Sequence, residues 1–188
     1  MKNRNLNHID HWQTPPYVLD ALNKEFHFDC DPCPIYCNLE YWNGLTSEWG
    51  KRNYVNPPYS INLKTQFVEK GIEWMKEGKQ SLFMLPVSTS TSLFHNLIIP
   101  NANEIWFIKG RIQYIGENDK GQLINHHLFG EDVDNKEMVI HDGIGIPKYI
   151  RNSGMHDSML VHFNYIRKRT QWPIINTIKF SQNKITKL

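Results

Sequence analysis

Residues 53–60 read Asn53-Tyr54-Val55-Asn56-Pro57-Pro58-Tyr59-Ser60, a short strand-like segment that runs directly into two prolines. The proline pair ends the strand abruptly, because each proline removes a donor and restricts the residue before it. From average composition, Asn-Pro-Pro-Tyr would arise by chance in about one chain of this length in a thousand. A rigid turn explains the prolines but leaves the flanking amide and phenol unexplained.

Those four residues suit one kind of chemistry. The lone pair of an aromatic or amide NH2 is delocalised, so a site that alkylates it must draw the pair back onto nitrogen. Two fixed acceptors on the amine hydrogens do this, and the Asn56 side-chain oxygen with the Pro57 carbonyl would supply them. Proline sets the direction of that carbonyl in advance, and Tyr59 offers a ring on which a planar substrate can stack. S-adenosylmethionine is the most economical alkyl donor, since its sulfonium needs no metal. No G-x-G-x-x-G loop is present, which argues against a dinucleotide.

Upstream of this stretch, Thr14 followed by Pro15 reads as a helix start, with the hydroxyl as N-cap, and Val18, Leu19, Leu22 and Phe26 recur at helical spacing. From Phe26 to Asp31 apolar and polar residues alternate as in a half-buried strand that stops at Pro32, which puts Asp31 at a strand's carboxyl end. Ligands of open α/β sheets bind beyond such ends. Asp31 is therefore expected to hold the ribose hydroxyls or the amino-acid end of the donor.

Downstream, Leu63, Phe67, Ile72 and Met75 predict a helix over 62–76 with Gly78 near its C-terminal cap. The apolar run Ser81–Leu85 predicts a central, parallel strand. A short helix over 91–99 leads to strands at Glu104–Ile108 and Arg111–Ile115, pivoting on Lys109-Gly110, and Ser158–Phe163 is expected to be the last strand. Trp42 and Trp49 are expected anchors of the irregular stretch 32–51. Gly116–Asp157 reads as a long surface insert, with seven acids over 117–142.

The chain has 188 residues, 40% hydrophobic and 21% charged, with a net charge of +2. This fits one soluble α/β domain of cytoplasmic location, without a secretory signal or an apolar run long enough for a bilayer. The last 24 residues hold Arg167, Lys168, Arg169, Lys179, Lys184 and Lys187 and no acid. Such a basic tail implies a polyanionic partner, or else a solvated terminus. Cys30, Cys33 and Cys37 lie too close together for a structural zinc site that ties two segments together, and no metal is expected from them or from His126, His127, His141 and Asp132.

With these residues in hand the chain resembles the phage-type family of small DNA N6-adenine methyltransferases. The matching stretches are Asp10-x-Trp12-x-Thr14-Pro15, Asp31-Pro32-Cys33 with Asn38, Asn56-Pro57-Pro58-Tyr59-Ser60, Leu85-Pro86 through Thr91 to Phe94-His95, Gly110-Arg111-Ile112 and Ser158–Val161. The resemblance implies a Rossmann-like S-adenosylmethionine-dependent methyltransferase sheet in a compact α/β domain, here expected over 1–164; the insert at 116–157 and the basic tail over 165–188 depart from the compact family pattern. It implies S-adenosylmethionine as donor and adenine in DNA, double-stranded and reached by base flipping, as acceptor. It places Asn56, Pro57, Pro58 and Tyr59 in the catalytic site, and Trp12, Thr14, Pro15, Asp31, Pro32, Cys33 and Asn38 on the cofactor side. DNA contacts are expected from Ser60, Thr91, His95, Arg111, Arg167, Lys168 and Arg169, in a bacterium or a phage-infected cell. Methylation of RNA or of a glutamine amide, and a catalytically silent nucleic-acid-binding module, are the competing readings.

Overall fold

Every side chain from Ser81 to Pro86 is buried, because this strand has an apolar layer on each side. A computed structural model describes residues 12–34, 43–117, 122–129, 140–141, 146–147, 149–152, 156–165, 172–181 and 184–188. Within them the elements run α1 (Pro16–Phe26), β1 (Arg52–Val55), α2 (Ile61–Lys76), β2 (Gln80–Pro86), a π-helical segment (Leu93–Ile98) closed by a turn of α-helix (Ile99–Asn101), and β3 (Glu104–Ile108). Five two-residue strands follow, β4 (Gly116–Glu117), β5 (Leu123–Ile124), β6 (Ile140–His141), β7 (Ile146–Pro147) and β8 (Tyr149–Ile150). The chain closes with β9 (Ser158–Asn164), β10 (Ile174–Ser181) and β11 (Lys184–Lys187).

The main sheet has six strands in the order β1-β2-β9-β3-β10-β11. Successive side chains of a strand point to opposite faces, so Leu82 and Met84 meet Val18 and Leu22 of α1, while Phe83 and Leu85 meet Phe67, Val68 and Ile72 of α2. β9 divides the same way, with Leu160 on the α1 side and Met159, Val161 and Phe163 on the α2 side. Two helical layers over a mixed sheet make this a mixed α/β domain.

Several sequence expectations are corrected. β2 is parallel to β1 but antiparallel to β9, so its unbroken apolar run reflects cover on both faces and not parallel pairing. α1 begins at Pro16 with Pro15 as its N-cap, and no side chain caps it. Thr14 lies one residue too far back, and its hydroxyl bonds to the Tyr54 hydroxyl instead. Phe26 ends α1 rather than opening a strand, and only Cys30 keeps a strand-like bridge, parallel to Asn53. Of Arg111–Ile115, only Ile115 pairs, with Gln13, because positive-φ Gly110 turns the chain away from β3.

Ser158–Phe163 is followed by two more strands. β10 lies parallel to β3 and β11 antiparallel to β10, so the acid-free C-terminal residues extend the sheet. The insert is structured where the description reaches it, with β4, β5 and β8 forming a small sheet and Asn125 buried at positive φ beside it. Trp42 lies outside the described residues, whereas Trp49 is buried against Phe67, Trp74 and Phe83. Gly78 follows α2 at φ 89°, the left-handed geometry expected just past a helix end. Among the described residues, no helix is long and apolar enough to cross a membrane.

Candidate active site

Three short segments meet at the carboxyl end of β1. Residues 29–31 run alongside it, with the Asp29 N–H donating to the Arg52 carbonyl at 2.9 Å and the Tyr54 N–H to the Cys30 carbonyl at 3.0 Å. This brings Asp31 to the end of the strand where Asn56 begins. Residues 12–14 cross the same end, held by two backbone hydrogen bonds between Gln13 and Ile115, at 2.8 and 3.0 Å. Trp12, Thr14, Asp31, Cys33, Tyr54 and Asn56 thus line one cleft, together with Gln13, Leu19 and Pro34. It encloses about 210 Å³, and about 600 Å³ counted out to its open mouth.

Asn56 is fixed within this cleft. Its Nδ2 donates to the Trp12 carbonyl, and since that carbonyl can only accept, the amide has a single orientation. Its Oδ1 accepts from the Tyr59 hydroxyl at 3.2 Å. The Tyr59 ring meets Tyr114 edge-on at 6.2 Å, and the Tyr114 hydroxyl lies 2.9 Å from Ser158 Oγ. Burial raises the pKa of Tyr54, Tyr59 and Tyr114, so all three phenols stay neutral and able to donate. The hydroxyl of Tyr59 therefore has a partner that stacking alone would not require.

Asp31 presents an exposed edge to the cleft, yet the surrounding walls desolvate its carboxyl and push its pKa from 3.8 up to about 6. The Cys33 N–H, 2.8 Å from Oδ1, works in the opposite direction and is outweighed. A cationic or hydroxyl-bearing ligand would restore the charged form, so the carboxyl fits the donor group suggested by the sequence. Pro15 and Pro32 are buried and do not line the cleft, and Asn38 lies outside the described residues.

Among the described residues, those expected to contact DNA do not line the cleft. Thr91 binds its hydroxyl to the Ser88 carbonyl at 2.9 Å and caps the turn before the π-helical segment. His95 is exposed on that segment, Ser60 precedes α2, and Arg111 pairs with Asp157 at 3.5 Å. Arg167, Lys168 and Arg169 lie outside the described residues, as do Cys37 and Asp132. Cys30 and Cys33 are half-buried thiols, and Cys33 packs against the α2-side core. The sequence reading missed Tyr54, Tyr114 and Ser158. Tyr54 could have been found by counting two residues back from Asn56 along the strand, whereas the Tyr114–Ser158 pair, 44 residues apart, left no local signal.

The family model described as DNA N-6-adenine-methyltransferase (Dam) matches residues 2–130, which include every cleft-lining residue and β1, β2 and β3. No curated protein is significantly similar to the chain.

Proposed function

The chain belongs to the DNA N-6-adenine-methyltransferase (Dam) family, and from that premise we propose that it takes its methyl group from S-adenosylmethionine held in the cleft and delivers it to an adenine flipped out of duplex DNA. The observation that carries this reading is that Asn56, fixed by Trp12, shares one cleft with the desolvated carboxyl of Asp31. The acceptor group and a partner for the donor are thereby brought side by side. β1, β2, β3 and β10 all point their carboxyl ends toward this side, which supports a Rossmann-like sheet with ligands beyond its strand ends.

When bound, S-adenosylmethionine supplies a sulfonium methyl; the N6 lone pair forms the new N–C bond as the C–S pair returns to sulfur, and the amine proton leaves to solvent. The protein's part is to prepare that lone pair. Asn56 Oδ1 accepts one amine hydrogen and the Pro57 carbonyl the other, while Pro58 keeps the turn rigid. The Tyr59 hydroxyl can give up Asn56 Oδ1 to the substrate, and Tyr114 lies within hydrogen-bond reach to receive it. The Tyr59 ring then stacks on the base.

On the donor side Asp31 binds charged or hydroxyl groups, with Trp12, Thr14, Pro15, Pro32, Cys33 and Asn38 around it. Ser60, Thr91, His95 and Arg111, with Arg167, Lys168 and Arg169, make the contacts to DNA. A DNA substrate supports a cytoplasmic site of action, in a bacterium or a phage-infected cell.

Expression in cells that lack adenine methylation, with modified bases read by long-read sequencing, tests the reaction. N6-methyladenine at a defined site is expected, and none from an Asn56→Ala variant. Unmodified DNA, with methyl transfer by the purified protein to RNA or to a glutamine amide instead, would overturn it.

A further inference from the structure

The C-terminal hairpin contributes a sheet face that no helix covers among the described residues. Ile178 and Phe180 of β10 and Ile185 of β11 turn toward α1, while Ile175, Thr177, Lys179 and Ser181 face the other way and are all exposed. Ser181 pairs with Lys184 and Lys179 with Thr186, so Lys184 and Thr186 share that open face. It carries two lysines and three hydroxyls and no acid. Neither Lys179 nor Lys184 has a carboxylate partner among the described residues, unlike Arg111, and Lys187 differs in lying over the Trp106 ring at 5.1 Å.

Register places this face relative to the cleft. β10 runs parallel to β3, and Ile178 is already level with Ile108, so Lys179 and Ser181, with Lys184 paired to Ser181, project beyond the carboxyl end of β3. That is the end of the sheet at which Asn56 lies. Exposed Lys109, just past β3, stands between the two. Asn164 and Ile174 are by contrast at the opposite end. From β1 to β10 there are four strand spacings of about 4.8 Å, or about 19 Å. β3 and β11 lie one spacing nearer and one farther.

We propose that Lys109, Lys179 and Lys184, with the hydroxyls of Thr177, Ser181 and Thr186, form a shelf that grips the DNA phosphate backbone about four to seven base pairs to one side of the target adenine, at 3.4 Å per base-pair step. The proposal rests on DNA being the substrate and deepens that reading. Lysine and hydroxyl contacts of this kind position a duplex without reading its sequence. The shelf holds the flanking duplex while the cleft acts on the extruded base.

The test is the salt dependence of DNA binding by the full-length protein carrying Lys179→Gln and Lys184→Gln, with duplexes of different length and no donor present. Each phosphate contact adds about −0.9 to the slope of log affinity against log salt, so the pair should flatten it by about 1.8. Lys179→Arg with Lys184→Arg should restore the slope. Lys51→Gln, an exposed cation before β1 at the far end of the sheet, should leave it unchanged. Duplexes cut to fewer than about four base pairs on the shelf side should erase the difference between wild type and the Gln pair. An unchanged slope, an equal effect of Lys51→Gln, or an effect that persists on the short duplex would overturn the shelf. Because binding is read without methyl transfer, a wild-type protein that binds DNA but never methylates it would sink the catalytic reading and leave this test intact.

Discussion

β1 has an asparagine near each end, Asn53 and Asn56, and the two are used in opposite ways. Asn53, at 1% exposure, turns its Nδ2 toward the Gly50 and Gln80 carbonyls, at 3.1 and 2.9 Å, and so ties the start of β1 to β2. Asn56 also commits its Nδ2 to a backbone carbonyl, but among the described residues its oxygen is held by a phenol that can turn away. The same amide is structural where its neighbours are backbone, and available where one neighbour is a rotatable hydroxyl. This division extends across the sheet. At the far end Asn53 and His162 tie β1 and β9 to Gln80 of β2, whereas at the cleft end Asn56 and Asp31 face an open cleft.

The largest expected effect comes from breaking the pair at its functional member. Asn56→Ala should lower kcat by about 100- to 1000-fold, the usual result of removing one preorganised group. Its thermal midpoint and its affinity for S-adenosylmethionine by calorimetry should stay close to wild type. Asn53→Ala should do the reverse, costing about 1–3 kcal/mol of stability in urea titration through stranded carbonyls, with kcat of the folded fraction unchanged. If both variants lost only stability, Asn56 would be structural as well.

The two ends should also answer acid differently. At the far end, His162 bonds to Gln80 Oε1 at 3.2 Å, and Glu104, opposite it across β3 and β9, takes the Trp106 Nε1–H. Burial still pushes the imidazole down to about 4. The unfolded chain takes up this proton near pH 6.5 and the folded chain only near 4. Stability is therefore complete above the upper value and falls through the window, by about 3 kcal/mol in all. His162→Leu should remove that share of the acid loss in denaturation at pH 4.5 to 7.

At the cleft end, acid should affect binding instead. Asp31 is raised to about 6, so affinity for S-adenosylmethionine should fall as pH drops below that value and the carboxylate is protonated. Asp31→Asn should bind more than tenfold more weakly at pH 7.5 and show no such pH dependence. Unchanged affinity in calorimetry would remove Asp31 from the donor site. The smallest effect is expected of Tyr59→Phe, because the lost bond to Asn56 is a neutral one worth about 0.5–1.5 kcal/mol. Tyr59→Ala should be much worse, since it removes the ring, and equal losses would assign Tyr59 to hydrogen bonding alone.

Local patterns read well from sequence where one residue type implies one geometry. Asn56-Pro57-Pro58 marked a strand end, Leu63 to Met75 marked α2, and Asp31 was expected beyond a strand end and is found lining the cleft. What did not read well depended on partners far away. Thr14 looked like a cap because the Thr-Pro pair is locally sufficient, but a second proline moved the helix start and Tyr54, 40 residues on, took the hydroxyl. The β10 strand was hidden by its charge. Asn176, Ile178 and Phe180 alternate with exposed residues as a strand should, yet the absence of acids drew attention to the cations and away from the period. Nothing near Ser81–Leu85 could reveal that its second neighbour would come from residue 158 onward and run the other way.

That neighbour, β9, pairs with β2 on one side and β3 on the other. During synthesis, β1, β2 and β3 all emerge before it, so the β1–β2 pair and β3 wait with open edges until Asn164 has been made. Contacts of this sequence separation are reached only after the closure of a long loop, and they slow folding. A chain stopped at residue 130 would contain the whole cleft lining but lack the central strand, with β2 and β3 free to pair with other chains. Premature termination in this stretch should therefore yield aggregate rather than a smaller enzyme.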